Sequence, residues 1–262
     1  MIPTEEIKNA ARAAGVPTST VERDFAQDWL LASLGSHDLA LKGGTGIRKV
    51  FIPDYRFSDD LDFTSMGSVD IETLHNVLDT AITRARNASG IPFETALDLR
   101  ENRNGYVTDV FFPMLLSGHS RLKIKVDITK SSVEGNLLPF VLKRINHPYS
   151  DKCEGAVMVF SLEEMAAEKV RSVFQRTRAR DIFDVHCLVV GQRVDIKILN
   201  GILRIKFAKR SVDADLGRIR ARKPEFKNGW KRSLQHQMQD IPEFERVFGD
   251  VLSIIGQLEL GA

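Results

Sequence analysis

Two aspartates, Asp60 and Asp62, occupy alternate positions in the short stretch Asp-Asp-Leu-Asp-Phe. Side chains of a β-strand point alternately to its two faces, so both carboxylates should share one face while Leu61 and Phe63 enter a core. Asp59 lies on the Leu61 face and is interpreted as a turn residue. Residues two apart on a strand are separated by about 7 Å, which lets both carboxylates bind shared divalent metal ions, as two-metal phosphoryl chemistry requires. A solvated acidic edge strand is the alternative, but aspartate is disfavoured in strands, which favours the metal interpretation.

A glycine-rich turn precedes the acidic stretch and follows a short apolar run at residues 39–41. Its sequence, Lys-Gly-Gly-Thr-Gly, is not a P-loop, because the lysine precedes the glycines, and it does not match the dinucleotide-binding spacing. By itself, the turn is better explained as a tight strand-to-helix connection in which glycine adopts a positive φ. The helix that follows nevertheless offers backbone N–H groups and a positive dipole end to a phosphate.

Asp127 is the best candidate for a third carboxylate. Residues 121–129 alternate strictly, which predicts a strand with one apolar face and with Lys123, Lys125 and Asp127 on the other. Asp127 could complete a metal cage with the first two aspartates. Pairing with Lys123 or Lys125 on a surface strand explains it equally well.

The elements that must position these residues divide the chain near residue 160. Before this point we predict strands at 39–41, at the acidic stretch, and in a meander covering 93–99, 105–112 and 121–129. Helices are predicted around them at 4–15, from the end of a break at residues 17–20 to about residue 34, and at 69–88. After residue 160 the pattern is helical, and it begins with a capping box at Ser161 and Glu164. The prediction is an α+β fold with a mixed-sheet domain over 1–160 and a helical domain over 161–262.

Composition excludes several classes of protein. The chain has 262 residues, of which 43% are hydrophobic and 27% charged, as is typical of a globular protein. Cys153 and Cys187 form no CxxC pair, which suits a reducing compartment. No signal peptide and no apolar run of about 20 residues is visible, so we expect a soluble cytoplasmic protein without a membrane partner.

The motifs together resemble the AbiEii/MenT family of nucleotidyltransferase toxins, within the DNA polymerase β-like nucleotidyltransferase superfamily. The glycine turn and the Asp-x-Asp pair indicate the superfamily. A helical lysine, Lys169, followed by Arg-Asp-x-x-Asp at 180–184, narrows the resemblance to this family. It implies a polymerase β-like mixed sheet with flanking helices, followed by a C-terminal helical domain that completes the active site. It also implies attack of an acceptor hydroxyl on the α-phosphate of an NTP, with release of pyrophosphate.

The resemblance also assigns roles to individual residues. The residues implied to bind the nucleotide are Gly43, Gly44, Thr45, Arg48 and Lys169, and those implied to hold Mg²⁺ are Asp60, Asp62 and Asp127. Asp184 would orient Lys169 or the acceptor hydroxyl, and Asp181 and Arg180 would make supporting contacts. Asp60, Asp62, Lys169 and Asp184 would form the catalytic set. A solvated helix lysine is the alternative for Lys169, but its apolar neighbours favour a role in the site.

The acceptor is indicated by a basic segment at 201–235, which carries eleven Lys or Arg residues and three acids although the whole chain has a net charge of only +2. Such a segment is either an RNA footprint or a solvated helical face. Its aromatic residues Phe207, Phe226 and Trp230 could pack or stack on bases. The basic segment favours an RNA acceptor. The resemblance implies that this acceptor is the 3′ end of a tRNA, and it implies a cognate antitoxin as protein partner.

Two other functions stay open at this point. One is transfer of a nucleotide to a small molecule, and the other is a nucleotide-binding module with a decayed site. Ser58 shares a face with Asp60 and Asp62, so a phosphate or nucleotide attached there could switch activity off, although a turn serine is the favoured interpretation.

Overall fold

The computed structural model describes residues 1–35, 38–115, 120–191 and 193–260. The chain divides into two compact units. The sheet unit comprises Met1–Gly135 and Pro139–Phe160, and the helical unit comprises Asn136–Leu138 and Ser161–Ala262. None of the helices in the described ranges has an apolar stretch of the length that a bilayer crossing requires.

The sheet unit is built on a seven-stranded mixed sheet. The strands are β1 (Leu39–Lys42), β2 (Asp60–Ser65), β3 (Arg100–Asn102), β4 (Gly105–Pro113), β5 (Arg121–Thr129), β6 (Val141–Arg144) and β7 (Ala156–Val159). Their order across the sheet is β3-β4-β5-β2-β1-β7-β6. Strand β2 runs parallel to β5, and β1 runs parallel to β7, whereas the other neighbours are antiparallel. The predicted α+β class with a mixed sheet is thereby confirmed.

Helices flank this sheet and make up most of the helical unit. Those of the sheet unit are α1 (Thr4–Ala14), α2 (Thr18–Leu34), α3 (Gly43–Gly46), α4 (Ile71–Ser89) and α5 (Ser131–Glu134), with a π-helical turn at Ile47–Phe51. Those of the helical unit are α6 (Leu162–Gln175), α7 (Ala179–Val185), α8 (Ile196–Lys209), α9 (Leu216–Ala221), α10 (Lys223–Leu234) and α11 (Phe244–Ile255), with a π-helical turn at His186–Val190.

One predicted strand is wrong. Residues 93–99 form no strand, and β3 begins only at Arg100. The segment is held by the buried Phe93, whose ring lies 5.6 Å from that of Phe112, and by the bond from Glu94 N to Phe111 O. The segment is therefore anchored at Phe93, and the alternation of its sequence is not accompanied by a strand. Strands β6 and β7 were not predicted.

Helix α6 begins as its capping sequence predicts, but only half of the capping box forms. The Ser161 hydroxyl accepts a hydrogen bond from Glu164 N at 3.2 Å. The Glu164 carboxylate does not return the bond; it accepts from the backbone N–H groups of Leu137 and Leu138 and pairs with Lys206 at 2.6 Å. A residue with a capping signature therefore serves here as a buried counter-ion.

A buried cluster of charges ties α2 to two later segments of the sheet unit. Asp24 and Asp28 each lie 2.7 Å from the Lys49 Nζ. The two ring nitrogens of His147 lie 2.9 Å from Asp28 and 2.7 Å from Asp151. Both ring nitrogens of His147 therefore lie within hydrogen-bond distance of a carboxylate, an arrangement that favours the protonated ring, in which both nitrogens donate.

We expect the free energy of unfolding to fall as the pH rises above neutrality, because His147 then loses its proton. Burial acts to lower the pKa of His147, but the hydrogen bonds to Asp28 and Asp151 outweigh it and hold the pKa above its ordinary value of 6.5. A group whose pKa is raised by folding stabilises the protein below its unfolded pKa and loses that contribution as the pH passes the folded value.

Urea unfolding between about pH 6 and about pH 9 checks this expectation. The decline in unfolding free energy should be smaller in His147→Gln than in the wild type. His75→Gln, on α4 and outside the charge cluster, should decline as the wild type does. An equal decline in all three proteins would show that His147 is not the group responsible.

Candidate active site

Three aspartates share one face of the sheet at its centre. Asp62 pairs in register with Asp127 of the parallel strand β5, and Asp60 pairs with Lys125 of the same strand. Paired residues on neighbouring strands project to the same face and lie about 4.8 Å apart. We call this set of Asp60, Asp62 and Asp127 the carboxylate face. On the opposite face Leu61 is fully buried, as the alternation predicts.

The carboxylate face has the donor chemistry of a Mg²⁺ site, but its three donors are not gathered around one point. Oxygen ligands from carboxylates are those that Mg²⁺ prefers. Among the described residues, no group of three His, Cys, Asp or Glu side chains is placed to hold a metal ion. Asp127 Oδ2 lies 3.0 Å from Lys125 Nζ, whereas Lys123 pairs with Asp109 at the same distance. The sequence left open whether Asp127 pairs with Lys123 or with Lys125. In the structure its partner is Lys125.

The glycine turn lies directly against the carboxylate face. Gly43 has a φ of +71°, as predicted for this connection, and a Cβ at Gly43 would stand well inside van der Waals contact with Asp62 Oδ2. A Cβ at Gly44 would lie 2.9 Å from Ser58 Oγ. The Thr45 hydroxyl donates to the carbonyl of Asp60 at 2.5 Å. Thus the two glycines give room to the side chains of the acidic strand, and Thr45 ties the turn to that strand.

Arg48 is held by the protein itself. Its Nε donates to Asp24 at 2.8 Å, its Nη1 bonds the carbonyls of Pro53 and Tyr55, and its guanidinium stacks 3.7 Å from the centre of the Phe57 ring. These contacts make Arg48 part of the buried charge cluster behind the turn. We therefore leave it out of the proposed nucleotide ligands.

Lys42 is a feature of this face that the sequence analysis did not single out. It pairs in register with Asp62 on the antiparallel strand β2, yet its Nζ contacts Thr129 Oγ1 at 2.9 Å and the carboxylate of Glu134. Glu134 also accepts from the Thr64 hydroxyl at 2.8 Å. No local pattern marks Glu134, since it lies far along the chain in the single turn of α5. The ion pair anchors the end of β1 just before the glycine turn.

The helical unit brings together the lysine and the acids of the second motif. Lys169 Nζ lies 2.6 Å from Asp184 Oδ2 and 3.5 Å from Asp181 Oδ1. Asp181 also receives two bonds from the Arg176 guanidinium, at 2.7 and 3.1 Å. Asp184 is fully buried, and the Lys169 side chain is 13% exposed. Lys169 is thus a positioned ammonium and not a solvated helix lysine, and Arg176 anchors Asp181.

The aromatic residues of the basic segment pack in a core. Phe207, Phe226 and Trp230 are all buried, and Trp230 Nε1 donates to the carbonyl of Pro242 at 2.9 Å. The alternative that these rings stack on bases is therefore wrong. Their spacing fits a buried helix face as well as an exposed one, so the sequence alone could not separate the two.

Acids of the helical unit neutralise part of the basic segment. Lys206 is 3% exposed and pairs with Glu164 and Glu168. Four further pairs join Arg204 to Glu259, Arg218 to Asp213, and both Lys223 and Lys227 to Glu245. Exposed basic side chains remain at Lys209, Arg220, Lys231 and Arg232. The positive surface is smaller than the local charge count indicates.

Comparison with known proteins gives the family. Residues 24–252 match the family described as nucleotidyl transferase AbiEii toxin, type IV toxin–antitoxin system. The fold is similar to that of MenT4, a nucleotidyltransferase toxin from Mycobacterium tuberculosis H37Rv, with a TM-score of 0.67 and 18% identity, covering 98% of this chain and 91% of that one. It is also similar to JHP933 from Helicobacter pylori, with a TM-score of 0.60 and 17% identity, covering 93% of each chain. The comparison with curated proteins gives no match.

The two solved structures support the fold alone, because their sequence identities are low. The family match covers most of the chain, and it confirms the resemblance inferred from the glycine turn, the paired aspartates and the Lys169 block. The chain belongs to the AbiEii family of nucleotidyltransferase toxins from type IV toxin–antitoxin systems, and it is a nucleotidyltransferase.

Proposed function

We propose that this toxin transfers a nucleotide from an NTP to RNA, with the 3′ end of tRNA as the acceptor, in a Mg²⁺-dependent reaction. One observation carries the proposal: Asp62 and Asp127 lie in register on neighbouring strands, with Asp60 on the same face and Gly43 against Asp62. This arrangement sets oxygen donors for a metal beside a backbone turn that suits a phosphate.

In this proposal the carboxylate face would hold Mg²⁺, whose charge would neutralise the triphosphate. Gly43 and Gly44 carry no side chain, so a phosphate can come close to the backbone there. The helix that begins at Gly43 supplies backbone N–H groups that have no intrahelical acceptor. Thr45 acts through its bond to the Asp60 carbonyl, which fixes the spacing between turn and strand. Thr45 is therefore a positioning residue here, and its backbone N–H is the group offered to the phosphate.

Lys169 is proposed to contact the nucleotide phosphates, and Asp184, 2.6 Å away, to set the position of its ammonium. The acceptor hydroxyl oxygen bonds to the α-phosphorus and gives up its proton to water, while the bond from that phosphorus to the bridging oxygen breaks and pyrophosphate leaves with the electron pair. Chemistry of this kind depends on positioning and charge neutralisation more than on covalent catalysis. The protein partner is a cognate antitoxin, as the family implies, and the cytoplasm, where NTPs and tRNA occur together, is the proposed location.

The acceptor class has two candidates. The exposed cations Lys209, Arg220, Lys231 and Arg232 support RNA, since exposed basic groups bind phosphate backbones. The ion pairs that neutralise much of the basic segment support a small-molecule acceptor, because they remove charge that an RNA footprint would use. We favour RNA because the remaining cations are exposed.

The test is incubation with each of the four labelled NTPs, Mg²⁺, and either total RNA or an RNA-free small-molecule extract. We expect label from one NTP to enter RNA of tRNA size, and chelation of the metal to abolish it. Joint reversal of Lys231 and Arg232 to Glu should weaken transfer to RNA about tenfold or more while leaving NTP binding intact. Label that appears only in the small-molecule extract would transfer the assignment to that acceptor class, and absence of label in both would refute the proposal.

A further inference from the structure

Lys125 occupies a distinctive place on the carboxylate face. It stands in register with Asp60 on β2, and its ammonium lies 3.0 Å from Asp127 Oδ2, two residues along its own strand. The negative charges of Asp60 and Asp62 also act on it. One cation therefore faces all three of the carboxylates that the proposed function assigns to Mg²⁺.

The neighbouring lysine of the same strand shows that this placement is not a general property of β5. Lys123 lies on the same face, but it pairs with Asp109 of β4, also at 3.0 Å. The two lysines thus make ion pairs of the same length on the same strand. They differ in that only the partner of Lys125 belongs to the carboxylate face.

We propose that Lys125 is a built-in competitor of the divalent metal: its ammonium holds Asp127 in the metal-free protein, and a metal ion must displace it to gather the three carboxylates. The inference rests on the proposed function, since it takes the carboxylate face as the metal site. Competition by Lys125 would explain why the three carboxylates, although they lie on one face, are not gathered around one point.

The exposure of the pair makes such an exchange feasible. The Lys125 and Asp127 side chains are 42% and 39% exposed, and ion pairs in contact with water contribute little net stability. A divalent ion carries twice the charge of an ammonium and can contact several carboxylates at once, so it should displace Lys125. The lysine then sets the concentration of metal at which the site fills.

The test is direct binding of Mn²⁺, used as the probe ion, measured by isothermal titration calorimetry without nucleotide. Lys125→Met removes the competing charge and should tighten Mn²⁺ binding by about tenfold. Lys125→Arg keeps the charge and should bind within about twofold of the wild type. Lys123→Met is the matched control, because it removes a lysine of the same strand and face that does not pair with Asp127, and it should also stay within about twofold.

Equal or weaker Mn²⁺ binding by Lys125→Met than by Lys123→Met would overturn the inference. Thermal melting of each variant shows that it is folded, and Lys125→Gln replaces Lys125→Met if the latter does not fold. The Asp60→Ala variant separates the two possible failures. If the wild type binds Mn²⁺ no better than Asp60→Ala, the metal site of the proposed function fails, and this inference with it. If the wild type binds better but the two methionine variants agree, only the role of Lys125 fails.

Discussion

Replacement of Gly43 by alanine is expected to lower the rate of nucleotide transfer by about 100-fold. The new Cβ would overlap Asp62 Oδ2, so the carboxylate must move away from the position that it holds beside Asp127. A displacement of about 1 Å in a catalytic group can cost two orders of magnitude in rate. Gly43 also has a φ of +71°, at which a side chain adds about 1 kcal/mol of strain.

Gly90→Ala separates the overlap from the backbone strain. Gly90 has a φ of +75°, close to that of Gly43, but its Cβ would make only ordinary contacts of 3.7 Å or more, with Met1. Both variants should therefore lose about 1 kcal/mol of stability, and only Gly43→Ala should lose transfer activity. Labelled-NTP transfer and urea unfolding of the two variants measure this. Retention of activity within about threefold by Gly43→Ala would mean that Asp62 does not need its observed position.

The centre of the sheet was predictable from sequence because a local pattern carries it. In β5 the apolar face has Ile124, Val126 and Ile128, which are all buried, and the opposite face has Lys125 and Asp127. Because side chains alternate with a period of two, a shift of one residue in strand pairing would move every side chain to the other face. The register of such a strand is therefore strongly specified. The same rule applied to residues 93–99 failed: Phe93 is buried, but the residues after it are not, and the segment forms no strand.

The buried ion pairs could not be predicted, because their partners are distant along the chain. Lys206 and Lys49 look like ordinary helical lysines, yet both are buried, against Glu164 and against Asp24 and Asp28. A local charge count therefore overestimates the positive surface of the helical unit. Charge becomes surface charge only where tertiary structure leaves it without an acidic partner, and no pattern of local sequence reports this.

The family motifs single out residues, but they do not predict what each of those residues contacts. Lys169 and Asp184 lie 2.6 Å apart, as the motif implies. Arg48 shares the glycine-turn motif but is bound to Asp24 and to backbone carbonyls, so its place in the motif reflects support of the turn. Position within a motif is thus compatible with a role in holding the site as well as with contact to the substrate.

Replacement of Asp60 by alanine should lower nucleotide transfer by about 1,000-fold or more, because it removes one of the proposed metal donors from the carboxylate face. The fold should be retained. Thr45 donates to the backbone carbonyl of Asp60 and not to its carboxylate, so the link between turn and strand survives the substitution. Single-turnover transfer of the label, at saturating Mg²⁺ and NTP, measures the effect on the chemical step.

Asp59→Asn provides the matched control from the adjacent position. Asp59 pairs with Arg23 at 2.7 Å and precedes the strand, so it is not a member of the carboxylate face. Its loss should affect transfer by less than about threefold, with at most about 1 kcal/mol of stability lost with the ion pair. Equal activity in Asp60→Ala and Asp59→Asn would place the chemistry elsewhere on the chain. A large loss confined to Asp60→Ala, with unchanged unfolding, would locate the reaction at the carboxylate face of β2 and β5.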